Sequence, residues 1–395
     1  LTETSCSNLS KTRHALAAFA FALAAGAPAQ TSASTPVPDL QTTKGFEATC
    51  KTMPLDAKAL RSDDMRVAWA VCRDVNLVRD LFTWGFNTFE KQQAQRASWQ
   101  ETVDAVTRKL EETRLHMSQT RQVLQRVQLG SRKSLALAPG QWQLDLNGDG
   151  EKKPWEIWFF ALPKPNAEPA QFAVPSQDAS YYETGFNPNA RIKVDQSDVL
   201  WALSYHQFIE GVLTAARAFE LQWDAKHLVV ARPEQLRAAH GLIAQGLLTS
   251  ERLRQSVLAE TGDDHEWLPN PRQRNTVFPI PLDAATFVTW GEVLKETRSV
   301  WSGQHLLPAT RGARGVIGGM APVCAEGQGL DVSSLLLNPP PAGTRIAPER
   351  AIATAQRACQ KVSAARPISD LANRADRTVE QAGGMSALRY LYWIN

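Results

Sequence analysis

The sequence predicts an all-α fold, an irregular helical bundle or helical-hairpin array joined by long Pro-rich loops. Three observations carry this. Apolar residues recur every three or four positions through long stretches, which places them on one face of a helix. Capping residues head those stretches: Ser62 before Asp63 and Asp64, and Ser98 three residues ahead of Glu101. After Asp195 the apolar face becomes so wide that the segment reads as a central, mostly buried helix.

At 395 residues the chain is long enough to bury a full core in one large domain or two. Lys and Arg (43) nearly balance Asp and Glu (40), giving a net charge of +3. That balance creates no demand for a nucleic acid or an anionic membrane. The 12 Trp residues suit a packed core first and a binding face second.

Residues 1–29 read as an export signal, with a basic region at Lys11, Arg13 and His14, an apolar run from Ala15 to Ala25, and small residues at Ala27 and Ala29. The expected mature start is Gln30, and the expected location is periplasmic or extracellular. The apolar run is too short to span a bilayer, and no later stretch is uniformly apolar for the roughly 18 residues a span needs. Cys6 falls within the signal, leaving Cys50, Cys72, Cys324 and Cys359. An even set in an exported chain predicts two disulfides, and sequence proximity favours Cys50–Cys72 and Cys324–Cys359 among three pairings.

Residues 30–55, rich in Thr, Ser, Pro and Ala, read as a flexible tether. A first helical block covers 56–165. Its first helix carries Met65, Val67, Ala68, Val71, Cys72, Val75, Val78, Leu81 and Phe82 at helical spacing. Its second runs from Ser98 to about Val127 with a narrow apolar stripe, as expected for one arm of a helical hairpin. The stripe is too irregular for sustained heptads.

Asp145, Asn147, Asp149, Gly150 and Glu156 follow in the order D-x-N-x-D-G-x5-E. This stretch resembles the calcium loop of EF-hand proteins. The resemblance implies a bound Ca²⁺ held by the side chains of Asp145, Asn147, Asp149 and Glu156 and by the carbonyl of Glu151, with Gly150 at the sharp turn. It covers the loop and the start of an exiting helix, Pro154 to Leu162. Pro139 and Gly140 exclude a full entering helix, Lys152 stands where EF-hands carry an aliphatic residue, and no sister loop is present. The implied site is therefore a lone structural clasp rather than a sensor. The competing reading is an Asx-rich turn that satisfies its own backbone without an ion, although three converging carboxylates would then repel one another.

Residues 166–194 form a Pro-rich linker or loop containing Tyr181, Tyr182 and Phe186, and 195–395 form a second helical block. In that block helices are expected from Asp195 to about Trp223, Glu234 to about Glu260 and Asp283 to Trp301, then near 349–364 and from Asp370 onward. The apolar segment from Leu388 to Ile394 is expected to dock on the core.

His206 and Glu210 stand four apart on the presumed central helix and so share a face. That spacing suits two ligands or a base with its orienting partner, and equally a structural pair. His265 and Glu266 follow Asp263 and Asp264 in a loop, where solvated polarity explains them as well. Gly312 to Gly319, flanked by Arg311, lacks the spacing of a phosphate cradle. The functional expectation is an exported calcium-binding helical protein acting as a binding or scaffold module toward a protein or envelope component. The alternatives are a secreted hydrolase or metal-dependent enzyme with a site near His206 and Glu210, and an envelope or filament subunit.

Overall fold

A computed structural model describes residues 38–94, 98–164, 183–222, 226–279, 282–308, 323–347, 350–371 and 374. The expected signal segment, Tyr181 and Tyr182, the Gly312–Gly319 loop and the Leu388–Ile394 segment lie outside the described residues.

Order begins earlier than the composition suggests. Helix α1 (Thr43–Thr52) lies within the expected tether, capped by Thr42, whose side chain accepts the Gly45 N–H. Its anchors are apolar: Leu40 and Phe46 are buried, and Phe46 meets the ring of Trp142 at 5.0 Å. Trp142 Nε1 in turn donates to the Leu40 carbonyl at 2.9 Å. The Cys50–Cys72 disulfide then fastens α1 to α2, and Cys324–Cys359 joins two later segments. Both pairings are those that sequence proximity favours, and they fit an oxidising, exported environment.

Helix α2 (Asp63–Gln93) starts at Ser62, which accepts the Met65 N–H. Helix α3 (Trp99–Leu124) opens with the capping box of Ser98 and Glu101, both halves formed. The two run antiparallel, since Arg73 meets Gln119 while Asp80 meets Lys109. Helix α5 (Gln196–Ala216) is capped by Asp195 and Asp198, and it supplies both main cores. Val199 and Leu203 join the cluster of Phe46, Val67, Leu144 and Trp155, and Leu200 joins that of Leu253, Val257, Trp267 and Phe278. The described residues therefore belong to one compact unit, with the 195–216 helix in its middle. Helix α6 (Glu234–Ala259) lies close against α5. A Cβ at Gly211 would come within 2.6 Å of Ile243, and one at Gly246 within 2.6 Å of Phe208. Helix α7 (Ala284–Trp301) packs on α6, followed by the short helices α8 (Val332–Leu337) and α9 (Ala351–Gln356).

The fold is mostly helical but not all-α. Short antiparallel ladders stitch its loops: β1 (Ala136–Leu137) with β4 (Ile192–Lys193), and β2 (Leu162–Pro163) with β3 (Phe186–Asn187). β5 (Phe219–Gln222) pairs with β6 (His227–Val230), which pairs with β8 (Arg345–Ile346), and β7 (Gln328–Leu330) pairs with β9 (Cys359–Lys361). The helix expected to reach Trp223 thus stops at Ala216, and Phe219 to Gln222 turn into a hairpin. Strands of two to four residues are too short to show a period-two signature. Among the described residues no helix is long and apolar enough to cross a membrane.

Candidate functional site

The 145–156 loop is a turn closed by its own side chains on its own backbone. Gly148 and Gly150 adopt φ of +76° and +87°, which a side chain would strain. Asp145 lies across the turn, its two carboxylate oxygens accepting the N–H groups of Gly148 (2.7 Å) and Gly150 (2.9 Å). Asn147 Oδ1 accepts from Asp149 N–H and Asp149 Oδ1 from Glu151 N–H. Glu156 is the third residue of the short helix α4 (Pro154–Ile157) and is wholly buried. Its Oε1 accepts the amides of Leu146 (2.8 Å) and Asn147 (3.1 Å), and its Oε2 accepts that of Lys153 (2.9 Å). One carboxylate thus clamps both ends of the loop. From α2, Arg79 Nε and Thr83 Oγ1 donate to the carbonyls of Asp145 and Leu146.

The side chains of Asp145, Asn147, Asp149 and Glu156 offer only oxygen acceptors on this turn, apart from the Asn147 amide NH2. One feature competes with an ion: the Lys153 ammonium sits on Asp149 Oδ2. That contact, then the Glu151 amide and Asn147, hold the Asp149 carboxyl down at about 2. The three loop carboxylates do not converge as a metal-ready trio. Among the described residues that closeness belongs to Asp195, Glu260 and Glu266, whose oxygens lie within 4.8 Å of one another.

This second acidic group sits where α5 begins, α6 ends and the loop after α3 passes, beside a cavity of about 300 Å³. Lys133 reaches into it, 2.6 Å from Glu266 and 3.0 Å from Asp195, and these carboxylates lift its pKa well above the ordinary range against the opposing effect of burial. Asp195 also caps α5, and Ser197 Oγ bonds both Ser256 Oγ at 2.9 Å and the Glu260 carboxylate. Burial, then the Asp195 charge, pushes the Glu260 carboxyl up to about 7. The same two causes, in the same order, raise Asp198. Burial thus favours the protonated forms of Glu260 and Asp198, while the Lys133 ammonium faces Asp195 and Glu266. Sequence reasoning marked Glu266 in its loop, but Lys133 and Glu260 lie 133 and 6 positions from it and carry no shared pattern.

His206 and Glu210 have separate partners. His206 Nδ1 faces the Ala202 carbonyl at 2.7 Å and Nε2 faces Asp74 Oδ1 at 3.2 Å. An Ala202 carbonyl and an ionised Asp74 both accept, so these partners favour the doubly protonated ring. Burial opposes that charge, but Asp74 prevails and the pKa rises. Asp74 also takes His116 Nε2 at 3.0 Å. The Asp74 carboxyl lies far below its usual range, as the His206 charge and these hydrogen bonds outweigh burial. Glu210 is clasped by Arg121 through Nε (2.6 Å) and Nη2 (3.3 Å). The pair spaced four apart thus ties α5 to α2 through His206 and to α3 through Glu210. His240 stacks on Trp301 at 5.3 Å, and His305 pairs with Glu296 at 2.7 Å.

No family model matches the chain, and no curated protein or solved structure matches it.

Proposed function

We propose that this chain is an exported calcium-holding module in which the ion acts as a structural clasp at residues 145–156. Its helical frame serves as a binding or scaffold surface toward a protein or envelope component. The observation that carries this reading is Glu156, a wholly buried carboxylate that gathers the amides at both ends of a loop whose residue order is that of a calcium loop. Asp145, Asn147, Asp149 and Glu156 would hold the ion through side-chain oxygens, and Glu151 through its carbonyl. The ion would supply positive charge to loop carboxylates that backbone amides and Lys153 now balance. Lys153 now supplies part of that charge to Asp149 and must release it for the ion to bind.

The clasp reading has a mechanical basis. The loop is tied to α2 through Arg79 and Thr83, and Trp155 of α4 packs on Phe82 at 5.4 Å. Fastening the loop therefore stabilises the contact between α4 and α2. The pairing of His206 with Asp74 and of Glu210 with Arg121 supports structural roles for both residues. Calcium modules outside cells bind with dissociation constants of roughly 10⁻⁴–10⁻³ M, and Lys153 places this site at the weak end.

Thermal melting in millimolar Ca²⁺ against EDTA tests the proposal. Calcium is expected to raise Tm, and Glu156→Gln to abolish the rise. Because Glu156 also holds backbone amides, Asp149→Ala is the companion variant. A rise that survives in both variants overturns the assignment.

A further inference from the structure

A groove of about 540 Å³ lies between the end of α1, α2 and α3, within the size range in which proteins hold small organic ligands. Trp69 and the Cys50–Cys72 disulfide form part of its lining, with Leu77 and Leu115 as apolar walls. At one end stands Arg73. Its guanidinium lies 4.6 Å from the centre of the Trp69 ring. Its Nη2 donates to Gln119 Oε1 at 2.8 Å and approaches His116 Nδ1 at 3.4 Å. Its Nε is buried without a partner.

Arg73 stands out because nearby charges are already matched. Asp80 and Glu112, at the other end of the groove, share Lys109. Asp74 is engaged by His206 and His116. Among the described residues no carboxylate lies within ion-pair distance of Arg73. Burial depresses its pKa, and the charge of Asp74 restores only part. A half-desolvated guanidinium with no anion is costly, and an arriving carboxylate would offset that cost with paired hydrogen bonds. Three neighbouring carboxylates disfavour a dianion such as phosphate, and the apolar walls favour a ligand with a hydrocarbon body.

We propose that this groove binds a small organic monocarboxylate, its anionic head on Arg73 and its apolar body along Trp69, Leu77 and Leu115. The site goes beyond the calcium reading, since none of its residues belongs to the 145–156 loop. A failed carboxylate titration leaves the calcium result standing, and a failed calcium titration leaves this one.

Isothermal titration of the full chain with octanoate and with its neutral analogue octanamide, in EDTA and again in Ca²⁺, tests it. Octanoate is expected to bind saturably and at least about tenfold more tightly than octanamide. Arg73→Gln removes the cation. Gln119→Glu, at an exposed position, supplies a competing carboxylate while leaving the Trp69 stack in place. Both are expected to weaken octanoate about tenfold or more and to leave octanamide unchanged. Should Arg73→Gln fail to fold by circular dichroism, Gln119→Glu decides. Absent octanoate binding, equal affinity for the two ligands, or unchanged octanoate binding in the folded variants overturns the proposal.

Discussion

Asp74 of α2 and His206 of α5, 132 positions apart, meet at 3.2 Å where the two helices pack. His116 of α3 closes on the same Asp74 oxygen at 3.0 Å, so one carboxylate joins three helices. With His206 buried and Asp74 partly exposed, the pair stabilises only while both partners are charged and matched.

Its pH dependence follows from the two shifts. His206 is raised, so its contribution is complete below the unfolded value of about 6.5 and is lost as pH rises through the higher folded value. Asp74 is lowered, so its contribution is present above the unfolded value of about 3.8 and is lost only in strong acid. Urea melts are expected to show less stability at about pH 8.5 than at about pH 5.5 from this source. Discounted for the partial exposure of Asp74, Asp74→Asn is expected to cost about 1–3 kcal/mol at pH 5.5 and to remove or reverse that pH-dependent loss.

Arg121 and Glu210 make the second crossing between α3 and α5, with Glu210 5 % exposed and Arg121 15 % exposed at their side chains. Arg121→Met leaves a buried carboxylate without its cation and is expected to cost about 3–5 kcal/mol. Arg121→Met combined with Glu210→Leu removes both charges and should recover most of that loss. Chemical denaturation of the four members of this cycle measures the coupling. A double-variant cost equal to the sum of the two single-variant costs would show that the pair does not interact.

Glu260 lowers stability in the same direction as His206, with rising pH, but in a more acidic window. Its carboxyl stands at about 7 against an ordinary 4.5, raised by burial and then by Asp195, with Glu266 adding to the effect while Ser197 and Gln273 oppose it. The unfolded chain therefore ionises first as pH rises, and stability falls between about pH 4.5 and 7. Glu260→Gln is expected to remove this fall and to stabilise the protein at about pH 8, with little change at about pH 4.5. Discounted for partial exposure, the gain is on the order of 1–2 kcal/mol. Melts at the two pH values measure the difference.

Thr120 of α3 is fully buried and its hydroxyl has no partner. Thr120→Val keeps the branched shape and removes a desolvated polar group. It is expected to stabilise the fold by about 1 kcal/mol, read from denaturation midpoints. A loss of stability would point to an unseen partner for the hydroxyl.

The sequence by itself determined what is local or strongly periodic. The caps at Ser62, Ser98, Asp195 and Asp283 lie within three residues of the amides they hold. The long helices follow because apolar spacing and capping act over adjacent turns. Proximity along the chain sufficed for both disulfides, and the Asp145–Glu156 turn is local because its side chains bond backbone amides no more than ten positions away. Tertiary structure decided the rest. Leu40 and Phe46 look like parts of a polar tether until Trp142, some hundred positions on, buries them. The hairpin that ends α5 early takes its third strand from Arg345 and Ile346. His206 found Asp74, Glu210 found Arg121, and Lys133 found Glu266 across spans of 132, 89 and 133 positions. A single buried charge is matched by whichever opposite charge the packing brings within about 3 Å, and packing at that range leaves no periodic trace in the chain.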